Sequence, residues 1–324
     1  MITAASVLLA AGAAFAGTAA APKIVNGQEE AGYDFTVALG ATFGEQTFSA
    51  CTGSVITPRI VLSAGHCGEG IPPELIVSAG KAFFGPSVEE PTHVVAFEGF
   101  AIHPGYVPLE NGVGGTLGEN DVSVLILAED APVPPVWLRS AEVLDEELGA
   151  EMVSIGFGVT GPQGNGSGVK RSATLFLSDV DDMFLYSESA DNPDDAQICS
   201  GDSGGPQVVH LPDGRIEQWA VHSWGDQGCE IVSGSTRVDV VYDWILEQVE
   251  AVHGTTDFCE INGIYDNGVC DTFCAGEDPD CVSEDAVADG GDDAEKGRCA
   301  TVPVGAALGP AALALAVVLG RRRR

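Results

Sequence analysis

Between Ile24 and His253 the apolar residues come in short runs, such as Val122–Leu127 (VSVLIL), separated by Gly, Pro, Asp and Asn. Short apolar runs bounded by turn formers predict β-strands, and a long series of them predicts a sandwich or barrel rather than helical layers. The rhythm changes at the end of this region. Val238, Val241, Ile245, Val249 and Val252 recur at helical spacing, and Gly254 follows as a C-terminal stop. The expected fold class over residues 24–253 is therefore all-β, closed by an amphipathic helix.

The flanks have other textures. Residues 254–281 hold Cys259, Cys270, Cys274 and Cys281 in a stretch too short for a hydrophobic core of its own. Two disulfides of open connectivity are the simplest account, and zinc is disfavoured because paired C-x-x-C spacing is missing. The acidic positions Asp266, Asn267, Asp271, Asp278 and Asp280 do not match an EF-hand loop and read as solvated turns rather than a calcium site. Residues 282–298 are acidic, rich in Gly and Ala and without periodicity, which predicts a disordered linker.

Both ends are apolar. Residues 1–20 form an Ala-rich stretch with small residues around Ala14-Phe15-Ala16, the pattern of a secretory signal peptide. Ala300 to Gly320 is free of charge and long enough, at about 20 residues, to span a bilayer, and Arg321–Arg324 behind it would stay cytoplasmic. Cys299 precedes that run, and the order Cys, apolar stretch, arginines across 299–324 resembles the C-terminal sorting signals of myxobacteria and their relatives. That resemblance implies attachment to the cell surface through lipid on Cys299. A plain transmembrane anchor is the alternative. The expected localisation is exported, either secreted or held at the cell surface, and nine cysteines suit an oxidising compartment.

Charge removes some functions. The chain carries 14 basic against 48 acidic residues, a formal charge of −34, which repels nucleic acid and anionic lipid headgroups. Apolar residues still make up 45% of the chain, enough for a sizeable core.

The candidate chemistry centres on Cys199–Pro206, CSGDSGGP. A serine hydroxyl is a weak nucleophile and needs a base oriented by a carboxylate. The spacing G-x-S-x-G fits the nucleophile elbow of α/β-hydrolases, but an elbow needs a buried strand before its Ser, and DNPDDAQICS is polar and contains Pro. His66 and Asp121 lie upstream of Ser203, the order His, Asp, Ser.

With these, IVNG at Ile24, GSVITPRIVLSAGHC ending at Cys67, HPGY at His103, DVSVLIL at Asp121, GFG at Gly156, SWG at Ser223 and DWI at Asp243 resemble the chymotrypsin-like (trypsin-family) serine endopeptidases in family order. The resemblance implies two six-stranded antiparallel β-barrels and hydrolysis of peptide bonds in protein or peptide substrates, without cofactor or metal. It implies His66 as base, Asp121 as its orienting carboxylate, Ser203 as nucleophile, and the N–H groups of Gly201 and Ser203 as the oxyanion hole. It also implies disulfides Cys51–Cys67 and Cys199–Cys229, and a substrate-binding strand at Ser223, Trp224 and Gly225. Gly65, where the family usually has Ala, puts nothing essential in doubt.

Residues 21–23 then read as a short pro-segment. Lys23-Ile24 resembles the family's zymogen cleavage site, which implies that a cut after Lys23 by an activating protease would free the Ile24 ammonium to pair with Asp202 and that the uncut chain leaves the oxyanion loop misformed. The resemblance implies that Gln197, six residues before Ser203, stands at the base of the primary specificity pocket, where trypsin-like enzymes carry Asp, so no strong preference for basic P1 residues is expected. Asp226, Glu230 and Asp239 are the acidic residues that would restore one, and Ser233 and Gly234 compete for one wall position. The competing function is a non-catalytic binding or adhesion protein on the same scaffold.

Overall fold

A computed structural model describes residues 24–281 apart from 25–26, 45, 111–115, 163, 165, 189–195 and 275. The expectations for the signal peptide, pro-segment, acidic linker and C-terminal sorting segment, Cys299 included, lie outside the described residues. Among the described residues no helix is long and apolar enough to cross a membrane.

The body is two barrels. Strands β1 (Thr36–Phe43), β2 (Gln46–Thr57), β3 (Ile60–Ser63), β4 (Gly80–Phe84), β5 (His93–Ile102) and β6 (Ser123–Leu127) close in the order β1-β2-β3-β6-β5-β4. Strands β7 (Glu151–Gly156), β8 (Arg171–Val180), β9 (Phe184–Glu188), β10 (Pro206–His210), β11 (Ile216–Gly225) and β12 (Val232–Arg237) repeat that order, the β8–β9 pairing closing the ring. All pairs around both rings are antiparallel.

The strand pattern has a direct cause. In β8, Leu175 and Leu177 are buried while Thr174, Phe176 and Ser178 are exposed, the two-residue alternation of a strand with one face on the core. The run read as VSVLIL is buried almost throughout because β6 lies between β3 and β5. The closing helix, α1 (Val238–His253), buries Val238, Val241, Trp244, Ile245 and Val249 against the main apolar cluster and ends at Gly254 with φ +74°. Each such Val or Ile contributes about 1.5–3 kcal/mol by burial.

The cysteine-rich segment docks on the second barrel. It carries the disulfides Cys259–Cys274 and Cys270–Cys281 and a short helix, α2 (Phe258–Ile261), capped by the Asp257 carboxylate, which accepts from the N–H of Cys259 and Glu260 at 2.9 and 3.2 Å. Phe273 meets the Trp137 ring edge-on at 4.9 Å between centroids, and the Arg215 guanidinium lies 4.4 Å over Phe273. The segment, short of a core, borrows this aromatic contact from its neighbour.

Strand register positions the chemistry. Ser63 at the end of β3 pairs with Ser123 at the start of β6, so Ala64–His66 and Asp121–Val122 leave the first barrel at one edge. In the second barrel Pro206 pairs with Val221, which lays the Ser203–Gly205 turn beside His222 and Ser223. The two edges face each other.

Candidate active site

His66 sits in a single 3-10 turn, Gly65–Cys67, pinned by the Cys51–Cys67 disulfide. Its ring Nδ1 is 2.7 Å from Asp121 Oδ2, and its backbone N–H donates to Asp121 Oδ1 at 2.8 Å. Asp121 is fully buried, and a third donor, the Ser223 hydroxyl, reaches its Oδ2 at 2.5 Å. A buried carboxylate is costly unless hydrogen-bonded, and these donors hold Asp121 in one orientation. With Nδ1 engaged by Asp121, the ring proton belongs there and Nε2 is left to accept another. Burial pushes His66 down, but the hydrogen bond and charge of Asp121, with Glu69 nearby, outweigh it and hold the imidazole above its ordinary value of 6.5.

His66 and Ser203 line one open cleft of about 640 Å³, together with Glu69, Ile198, Ser223, Trp224, Gly225 and Asp226. The loop carrying Ser203 is tied down peptide by peptide. Ser200 C=O accepts from the Val159 N–H at 2.9 Å, and because the peptide is trans the Gly201 N–H points the other way. Asp202 C=O accepts from the Gly205 N–H at 2.8 Å, which turns the Ser203 N–H away by the same rule. Gly201 has φ +95°, a conformation glycine adopts without strain. Two N–H groups on either side of Asp202 are thus directed away from the loop's own carbonyls, an arrangement suited to an oxyanion.

Asp202 points inward and is completely buried. Its Oδ1 accepts from the Gly158 N–H at 2.8 Å and its Oδ2 from the Cys199 N–H at 2.9 Å. Burial raises it to about 6, against the lowering effect of those N–H groups and of Arg171. Ile24, also buried, packs with Ala173, Leu175, Ala196 and Ile198, directly before Cys199 in the same loop.

Some participants carried no signal in the sequence. Thr52 stitches the barrels together: its N–H donates to Ser203 C=O at 2.8 Å, and its hydroxyl donates to Gly201 C=O at 2.9 Å while accepting from the Phe157 N–H at 3.0 Å. Arg171, nearly fully buried, donates through Nη1 to the carbonyls of Gly166 and Val169 at 2.6 and 3.1 Å, bracing the loop next to Gly158. Ser223 was expected only as part of the substrate strand, and its contact with Asp121 spans 102 residues.

The residue expected at the pocket base is neutral. Gln197 is buried, its Nε2 donating to Ser187 C=O at 3.1 Å and its Oε1 accepting from the Ser233 hydroxyl at 2.8 Å. The β11–β12 register pairs Gly225 with Ser233 and Trp224 with Gly234, so Ser233 faces Gln197, and Gly234 lies under the Trp224 indole, where a Cβ would come within 2.3 Å of Nε1. The three carboxylates named above are engaged elsewhere or exposed. Asp226 accepts from the N–H groups of Gly228, Glu230, Ile231 and Val232, Asp239 pairs with Arg237, and Glu230 is exposed. Cys199–Cys229 braces this region as the resemblance implied.

This fold is that of the chymotrypsin-like serine peptidases. The sequence profile described as Trypsin matches residues 24–245, and the chain belongs to the trypsin family. Its similar proteins include a trypsin of Saccharopolyspora erythraea, 28% identical over 243 residues that cover 70% of this chain and 99% of the relative. Venom serine protease 34 of Apis mellifera is 26% identical over 239 residues, 70% of this chain and 58% of the relative. Glucanase inhibitor protein 3 of Phytophthora infestans is 27% identical over 225 residues, 65% of this chain and 81% of the relative.

Proposed function

We propose that the protein is an exported serine endopeptidase that hydrolyses peptide bonds through Ser203, His66 and Asp121. The observation that carries this reading is the Asp121–His66 pair, at 2.7 Å, in the cleft that Ser203 also lines. His66 Nε2 takes the Ser203 proton as Oγ attacks the scissile carbonyl, and the oxyanion binds the N–H groups of Gly201 and Ser203. Each such donor is typically worth about 3 kcal/mol of barrier. His66 then protonates the departing amine, leaving an acyl-Ser203 ester, and water attacks that ester with His66 again as base. Asp121 orients the imidazole and stabilises the imidazolium.

Activation follows cleavage after Lys23 by another protease, the new Ile24 ammonium pairing with Asp202. The neutral Gln197–Ser233 base selects against Lys and Arg at P1, so the enzyme does not activate itself. Attachment to the cell surface through residues 299–324, with lipid on Cys299, completes the reading. Its alternative is a binding protein on this scaffold, favoured by the similarity to a relative named as a glucanase inhibitor. A fluorophosphonate probe discriminates: labelling mapped to Ser203, and lost in Ser203→Ala, is expected. Unlabelled protein correctly cut after Lys23 would favour the binding reading.

A further inference from the structure

The Gly201 N–H, one of the two directed at the oxyanion, belongs to a residue that cannot fix its own conformation. A Cβ at Gly201 would lie 2.9 Å from the Gly158 Cα, so no side chain fits there, and a glycine at φ +95° leaves the peptides on either side free to turn. Both are pinned from outside. Ser200 C=O accepts from the Val159 N–H at 2.9 Å, and Gly201 C=O accepts from the Thr52 hydroxyl at 2.9 Å, across the barrel interface.

Thr52 is completely buried on β2, and its hydroxyl has one proton to give. The Phe157 N–H donates to that oxygen at 3.0 Å, which leaves the proton for Gly201 C=O. The Thr52 backbone is held as well: its N–H donates to Ser203 C=O at 2.8 Å, and its C=O accepts from the Ser63 hydroxyl at 2.8 Å. A β-branched side chain is stiff at χ1, so a fixed backbone also sets the direction of the hydroxyl. The first barrel thus reaches the oxyanion loop through a single oxygen. A second bond crosses the interface close by, from the buried Ser54 hydroxyl to Gln218 Oε1 at 2.7 Å, but Gln218 lies on β11 and not in the Cys199–Pro206 loop.

We propose that Thr52 is a positioning residue for the oxyanion: its hydroxyl fixes the Gly201 backbone so that the Gly201 N–H is aimed before the substrate arrives. The inference rests on the peptidase reading and adds to it a determinant of rate supplied by the opposite barrel.

The test uses the whole chain cut after Lys23 and three variants of it. Thr52→Val keeps the branch at Cβ without the hydroxyl, Thr52→Ser returns the hydroxyl, and Ser54→Ala removes the neighbouring cross-barrel bond. Hydrolysis of a quenched peptide is read beside the binding of two inhibitors built on the same peptide sequence. One is a trifluoromethyl ketone, whose adduct with Ser203 Oγ carries an oxyanion; the other is the corresponding alcohol, which forms no adduct. In Thr52→Val, kcat should fall about tenfold at unchanged KM, because the donor remains but is no longer aimed. The ketone should bind about tenfold more weakly and the alcohol as tightly as before. Thr52→Ser should recover both native values, and Ser54→Ala should keep them even where urea unfolding shows it less stable. Should the valine variant not fold, Thr52→Ala carries the same expectations. Native kcat and ketone affinity in the hydroxyl-free variant would overturn the proposal. So would an equal loss in Ser54→Ala, or a loss shared by ketone and alcohol, since loosening of the barrel contact would then be cause enough. Native protein that neither hydrolyses the peptide nor takes up the phosphonate label is a separate failure, that of the peptidase reading; active native protein with an unaffected Thr52→Val removes this inference alone.

Discussion

The most quantitative consequence of this structure concerns Asp202 in the chain before cleavage. Burial raises its carboxyl from 3.8 to about 6 against the opposing N–H groups of Cys199 and Gly158 and the charge of Arg171. A rise of about two pH units corresponds to about 3 kcal/mol. The sign follows from proton linkage. Between about pH 4 and pH 6 the folded uncut chain holds a proton that the unfolded chain has released, so its stability falls as pH rises through that window. Above it, the uncut protein carries a buried carboxylate with no cationic partner in contact among the described residues. An ammonium on Ile24 reverses the situation, because a paired carboxylate is ionised more readily folded than unfolded. The perturbation is Lys23→Gln, which blocks the cut. Urea unfolding followed by tryptophan fluorescence, at intervals from pH 4 to pH 7, gives the stability of this variant and of the cut protein. Comparing the two forms cancels the titration of the many surface carboxylates they share. The gap between them should widen by about 3 kcal/mol over this range, and Asp202→Asn in the Lys23→Gln background should abolish the widening. Parallel pH curves for cut and uncut protein would refute the reasoning.

Further expectations follow from the same structure. Peptide hydrolysis by the proposed mechanism needs neutral His66, and since Asp121 and Glu69 hold its pKa above the ordinary 6.5 despite burial, kcat/KM should rise with pH through a midpoint above 6.5; a midpoint below it would show that burial outweighs Asp121 at this imidazole. Phe273→Ala removes the contacts with Trp137 and Arg215 and should cost about 1–2 kcal/mol in urea unfolding, whereas an unchanged midpoint would mean that the cysteine-rich segment is not held by this contact. A peptide-library profile should lack dominant Lys or Arg at P1, because Gln197 and Ser233 present no charge; dominance of either would show that another carboxylate serves the pocket.

Much of this was legible in the residues, and what was not has a common cause. The short runs such as VSVLIL announced strands, the valine spacing of Val238–His253 announced the helix, and the flanks of CSGDSGGP excluded an elbow. Local sequence carries those signals, since strand and helix periods are local. Register is not local. The Ser63–Ser123 pairing that brings His66 to Asp121 depends on how two barrel strands slide past each other, and one residue of slip would face every side chain the other way. The same holds for Ser233 against Gly234, which spacing left ambiguous and the β11–β12 register resolved. Thr52 and Arg171 carry no local signal, because a threonine in a strand and an arginine at a strand start acquire their roles only from distant hydrogen-bond partners. Four backbone N–H groups of its own loop hold the Asp226 carboxylate in one orientation, which its position in the sequence does not reveal. The module disulfides were equally open from spacing, since each of the four cysteines had more than one partner within reach along the chain.

The central claim is that Ser203, activated by the His66–Asp121 pair, forms an acyl-enzyme. Rapid mixing of chain cut after Lys23 with an activated ester, reading released chromophore, tests it directly. A burst of one equivalent of leaving group per chain followed by slower turnover, absent in Ser203→Ala, is the predicted result. Release without a burst, at the same rate in native protein and in Ser203→Ala, would contradict the account.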